Sequence, residues 1–91
     1  MFGSHAARLA VSGTKGYYGH PLGASGAIEA AITALALARG WLPPTLNLMT
    51  PDASCDLDHV RGEGRTARPA YALSNSFGFG GVNASLVLAG E

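Results

Sequence analysis

The chain has 91 residues, with six basic and six acidic side chains and a formal net charge of zero. Its hydrophobic fraction of 47% excludes intrinsic disorder, and its charged fraction of 13% is about half the usual quarter. That balance excludes an electrostatic attraction for nucleic acid or for an anionic membrane.

The length allows one domain at most, residues 1–91, able to bury about 60–65% of its unfolded surface. One cysteine excludes an internal disulfide and suits a reducing compartment. The start Met1-Phe2-Gly3-Ser4-His5 lacks the basic opening and apolar run of a signal peptide, so a cytoplasmic location is expected. Without secretion, the glycosylation pattern Asn83-Ala84-Ser85 carries no meaning.

Leu9 to Thr14, small and apolar and ending at a glycine, predicts a short buried strand. A glycine-rich turn follows through Gly19 and feeds a helix from Pro21 to Arg39, with Pro21 suited to its first turn and Gly40 to its end. Alanine, isoleucine and leucine occupy every face of that helix, which predicts cover on all sides inside a layered α/β protein. A membrane span is the rival reading. Leu22 to Ala38 is short against the ~20 residues a span needs, and Glu29 lies inside it.

Trp41 to Pro51 is punctuated by proline and reads as extended. Residues 52–69 hold most of the charge and read as a surface connection. Ala70 to Phe77 and Ala84 to Ala89 predict two strands joined by a Gly-Phe-Gly-Gly-Val-Asn turn. One helix without a polar face cannot be covered by three short strands. The segment is therefore expected to be incomplete as an independent domain.

Three places carry residues suited to chemistry. Lys15 and His20 lie five apart in a turn where Gly16, Gly19 and Gly23 let backbone approach a ligand. A neutral imidazole at a helix start can donate a hydrogen bond to a carbonyl or enolate oxygen, although a capping histidine without a chemical role fits the same position. Glu29 is the sole charge between Pro21 and Ala38. A carboxylate on a buried helix needs a partner, and Lys15 is the natural one, either to order a site or only to fix the turn. In Phe77-Gly78-Phe79-Gly80-Gly81, three glycines and two phenylalanines exceed what a hairpin turn requires. Cys55 is the tempting nucleophile, but Asp52, Asp56 and Asp58 surround it with the wrong charge for a thiolate. Cys55 and His59 lack the further ligands of a metal site.

These residues fall in a longer pattern: Val11-Ser12-Gly13-Thr14-Lys15, then Gly19-His20-x-Leu22-Gly23-Ala24-x-Gly26-Ala27-x-Glu29. Pro43-Pro44-Thr45-x-Asn47-Leu48, Pro51-Asp52-x-x-Cys55-Asp56-Leu57-Asp58 and Asn75-Ser76-Phe77-Gly78-Phe79-Gly80-Gly81 follow. Together they resemble the C-terminal part of the β-ketoacyl-(acyl carrier protein) synthases, the condensing enzymes of fatty-acid and polyketide synthesis.

The resemblance implies a thiolase-like α/β fold and a decarboxylative condensation of a malonyl-carrier thioester with an acyl group. It implies that His20 is the second active-site histidine and stabilises the enolate, and that Lys15 and Glu29 interact to order the site. It further implies that the Phe79 amide helps form an oxyanion hole while the ring gates the acyl pocket. No organic cofactor or metal is implied. The implied partners are acyl carrier protein and the missing N-terminal portion or a homologous subunit, with the full enzyme a homodimer; nucleic acid and membrane are not partners. The family's nucleophilic cysteine and first histidine have no counterpart here, so the chain is expected to be inactive alone. The alternative is a non-catalytic remnant, or a docking subunit of a split condensing enzyme. Departures from the pattern are Gly13 for a serine and Gly16-Tyr17-Tyr18 for Ser-Met-Thr, with the two tyrosines expected at the pocket mouth.

Overall fold

The computed structural model describes residues 2–90; Met1, and with it any reading of the chain's start, and Glu91 lie outside the described residues. The chain divides into two units, residues 1–19 with 42–65, and residues 20–41 with 66–91.

The first unit opens with a 3-10 helix, Gly3–Arg8, followed by β1 (Ala10–Val11). β1 is shorter than the predicted strand because only Ala10 and Val11 find partners. They pair in parallel with Asp58 and His59 of β3 (Asp58–His59). The Val60 amide then donates to the Val11 carbonyl at 2.9 Å, and the Thr45 amide to the Val60 carbonyl at 2.9 Å. Val60, 1% exposed, is the centre of this unit. The charged stretch 52–69 is thus more than the surface connection expected from its composition. It contributes β3, β4 (Arg65–Thr66) and the most deeply buried side chain described. Arg65 grips Asp58 through two bonds of 2.8 Å, a bidentate guanidinium–carboxylate pair that closes the loop between β3 and β4.

In the second unit a single 3-10 turn, Leu22–Ala24, leads into α1 (Ser25–Arg39). Gly40 ends α1 in the left-handed region at φ 65°, its amide donating to the Ala36 carbonyl, as a glycine at that position predicts. β2 (Trp41–Leu42) and β4 pair where the chain passes between the units. β5 (Tyr71–Phe77) and β6 (Asn83–Ala89) form the predicted antiparallel hairpin, in register from Tyr71 opposite Ala89 to Phe77 opposite Asn83.

α1 packs along β5 and touches β6. A Cβ built on Gly26 would stand 3.6 Å from the Ser76 hydroxyl, and one on Gly90 3.8 Å from the Leu37 side chain, so the helix runs back along β5. The side chains of β5 that are half-buried are Ala72, Ser74 and Ser76, whereas Tyr71, Leu73 and Phe77 are exposed. This inverts the usual alternation. Small groups between the helix and β5 allow close approach, while the large apolar groups of β5 face outward; on β6, Leu86 and Leu88 stand opposite Ser74 and Ala72 on the inner face.

The all-round cover expected for the helix is not supplied by the described residues. Ala27, Ile28, Ala31, Ala34, Leu35 and Ala38 form an exposed apolar stripe. By length and composition, Leu22–Arg39 could also cross a membrane, yet one side of α1 is occupied by the hairpin.

Two substitutions test this account. At Gly40 a Cβ would meet the Arg68 side chain at 3.0 Å as well as occupy a left-handed backbone. Gly40→Ala is expected to destabilise the chain by about 1–2 kcal/mol, read as a lowered denaturation midpoint. The second concerns Asp58, whose carboxyl is held below its ordinary range chiefly by the hydrogen bonds from Arg65. A group lowered in the folded state stabilises above its unfolded range and loses that contribution as the pH falls through the folded value. Asp58→Asn should therefore lower stability at neutral pH, and the gap to the parent should close in acid.

Candidate functional site

Lys15 begins a 3-10 turn, Lys15–Tyr17, in the first unit. The turn is closed by the Tyr17 amide on the Thr14 carbonyl at 3.0 Å and the Gly19 amide on the Lys15 carbonyl at 2.7 Å. The Thr14 and Tyr18 hydroxyls share a hydrogen bond of 2.9 Å. Tyr18 is thereby tied to its own turn, and Tyr17 is half exposed beside it. Glycine at position 16 has a local cause: a Cβ there would stand 3.1 Å from the Leu46 Cβ.

His20 belongs to the second unit, just before the 3-10 turn that starts the helical segment. The Leu22 amide donates to its Nδ1 at 2.9 Å, and the Ser25 hydroxyl stands 3.5 Å from the same atom. An Nδ1 that accepts from a backbone amide leaves Nε2 as the protonated nitrogen of the neutral ring. The imidazole is fixed as a one-sided donor, which is what a developing oxyanion requires. Leu22 reaches this geometry at φ 52°, in the left-handed region that costs a non-glycine residue about 1–2 kcal/mol. Its side chain is 77% exposed, so burial does not explain the conformation. The strain instead accompanies the amide that orients His20. In the sequence pattern Leu22 carries no role and Ser25 falls at an unspecified position; the signal available is their spacing of two and five residues from the histidine.

Glu29 sits half-buried on α1, one turn beyond Ser25, and its carbonyl accepts from the Thr33 hydroxyl at 2.7 Å. The Phe77 loop springs from the end of β5 beside the start of α1, as the contact of Gly26 with Ser76 requires. Within the loop the Gly78 amide donates to the Val82 carbonyl at 2.7 Å, and Gly80 and Gly81 turn the chain at φ 89° and 83°. Phe79 projects fully into solvent. His20, Glu29 and the loop Phe77, Gly78, Phe79 and Gly80 therefore share one unit, and Lys15 lies in the other.

Cys55 is exposed, and its carbonyl takes the 2.9 Å contact with His59 Nε2. The Asp52 carboxylate accepts from the Ser54 amide at 2.9 Å and hydroxyl at 2.8 Å, which lowers its pKa. These bonds order the loop around the thiol. Among the described residues no group of three or more histidine, cysteine, aspartate or glutamate side chains could hold a metal ion.

Comparison with known proteins gives one consistent answer. The family described as beta-ketoacyl synthase, C-terminal domain, matches residues 1–49. A 3-oxoacyl-[acyl-carrier-protein] synthase 2 of Coxiella burnetii is 54% identical over 87 residues, covering 96% of this chain and 21% of that protein. The protein of the same name from Synechocystis is 55% identical over 84 residues, covering 92% and 20%. A beta-ketoacyl synthase crystal structure from Burkholderia phymatum superposes with a TM-score of 0.87 at 45% identity, covering 91% of this chain and 21% of that one. A type II polyketide ketosynthase, solved with its acyl-carrier protein and bound to the hexaketide, gives 0.93 at 32% identity, covering 99% and 22%. The α/β, thiolase-like fold expected from the motifs is the fold of these neighbours, and the chain spans about a fifth of their length.

Leu22→Gly tests the origin of the histidine's orientation. It keeps the amide and removes the strain, so the chain should be as stable as the parent or more so, and the amide at position 22 should keep its hydrogen bond to His20 Nδ1, read by NMR. A stability loss above about 1 kcal/mol would show that the leucine conformation carries no strain.

Proposed function

This chain belongs to the beta-ketoacyl synthases, as part of their C-terminal domain, and from that premise we propose that it supplies half of a condensing site. The observation that carries the reading is the His20 ring, pinned at Nδ1 by Leu22 so that Nε2 donates. In the proposed reaction an acyl group is held as a thioester on a cysteine contributed from outside these residues. The malonyl group of a carrier-bound thioester loses carbon dioxide as its bond to the carboxylate breaks. The electron pair left behind forms an enolate whose oxygen accepts the hydrogen bond from His20 Nε2. The enolate carbon then attacks the acyl carbonyl, a carbon–carbon bond forms, and the cysteine thiolate departs.

Lys15 and Glu29 order this site, and the Phe79 amide stabilises the second oxyanion while its ring closes the acyl pocket. Acyl carrier protein is the partner that delivers the substrate; the polyketide ketosynthase relative was solved in complex with its acyl-carrier protein. The reaction belongs in the cytoplasm.

Two apolar faces support the view that the segment works only within a larger assembly. One is the outward stripe of α1; the other is the outer side of the hairpin, with Tyr71, Leu73, Phe77 and Val87. Polypeptide equivalent to the remaining four-fifths of the relatives would cover both, whether in the same chain or in a partner subunit. The segment by itself is then inactive.

The test is to graft this chain in place of the 87 matched residues of the Coxiella burnetii protein and to follow condensation of malonyl-carrier thioester. The graft should condense, and the isolated chain should not. His20→Ala or Lys15→Ala in the graft should each cost about a hundredfold or more in kcat. Condensation by the isolated chain, or a graft indifferent to His20, would refute the reading.

A further inference from the structure

We infer that Thr45 is a positioning residue for Lys15, holding the lysine turn through a side-chain hydrogen bond that leaves the rest of the fold untouched. The inference rests on the proposed role of Lys15 in condensation. Thr45 is anchored from behind, because its amide donates to the Val60 carbonyl at 2.9 Å and the Val60 amide donates to the Val11 carbonyl at 2.9 Å. From that fixed base its hydroxyl accepts the Gly13 amide at 2.9 Å, two residues before Lys15. Two neighbouring contacts act in the same sense. The Ser12 hydroxyl donates to the Pro43 carbonyl at 2.6 Å, and Leu46 fills the space left by the missing side chain of Gly16. The segment from Pro43 to Leu46 thus meets the lysine turn at three successive points, before and after Lys15.

The Gly13–Thr45 bond lies at the surface. If it is broken, water can satisfy the Gly13 amide, and no buried donor is orphaned. Its loss therefore moves the turn more than it weakens the fold, which is the mark of a positioning contact. Direct contact with the lysine side chain is not required: a displacement of its backbone by about 1 Å is enough to misplace the ammonium group.

The test uses the graft in the Coxiella burnetii protein, with Thr45→Val, which keeps the shape and removes the acceptor, and Thr45→Ser, which keeps the hydroxyl. Thr45→Val should lower kcat about tenfold while the KM for malonyl-carrier thioester stays within about twofold. Amide exchange over residues 14–19 should quicken about tenfold, with the remaining amides and the thermal midpoint unchanged. Thr45→Ser should restore both readouts. The proposal is overturned if Thr45→Val leaves kcat and local exchange as in the parent. It is equally overturned if kcat falls only in step with a lowered midpoint and faster exchange throughout, since that is a purely structural effect. A parent graft that does not condense defeats the reading of the site and the purpose given to Thr45 with it, and is recognised before any change at Thr45 is made.

Discussion

The close approach of α1 to β5 is the constraint from which the second unit follows. Gly26 rests on Ser76, and the positions of β5 turned to the helix are Ala72, Ser74 and Ser76. Side chains this small leave dispersion contact between backbones as the main adhesion, so the fit depends on the path of the chain more than on interlocking bulk. The path sets both ends of the contact. At the front of α1 it places His20 and its short turn. At the far end of β5 it launches the loop carrying Phe79. A Cβ at Gly26 would meet the Ser76 hydroxyl at 3.6 Å, an ordinary contact, so the room between helix start and strand is no more than a methyl group deep.

The first unit solves a different problem, holding a lysine-bearing turn with very little core. Val60 and Pro44 are its buried residues, and around them runs a chain of main-chain bonds from Val11 through Val60 to Thr45. Polar contacts replace apolar mass here. The bidentate Arg65–Asp58 pair fastens one side, and the hydroxyls of Ser12, Thr14 and Thr45 fasten the other. Hydroxyl-rich stretches in a weakly charged sequence are thereby explained as fasteners at short range.

Much of this was legible from residues whose backbone needs are specific. Gly40 announced the end of α1 because a left-handed residue there has few alternatives, and the glycines after Phe77 announced the hairpin for the same reason. The lysine, histidine and glutamate were legible through their motif. What escaped was set by long-range geometry. The predicted strand from Leu9 to Thr14 shrank to two residues because its partner, β3, offers only two, and nothing local says so. The acidic stretch concealed Val60, since one valine among charges leaves no period to detect. The positive φ of Leu22 contradicts local preference outright and could be found only in three dimensions. The all-round apolar helix predicts cover on every side, and the described residues cover only one.

The inverted hairpin sets solubility and competence against each other. Its outward side offers Tyr71, Leu73, Phe77 and Val87 to water, while the inward side of β5 is alanine and serine. Replacing those four by polar groups would make the segment better behaved in a test tube. On the proposed reading it would also erase the adhesive the segment brings to a larger assembly, so a variant selected for good expression would tend to be one that can no longer assemble.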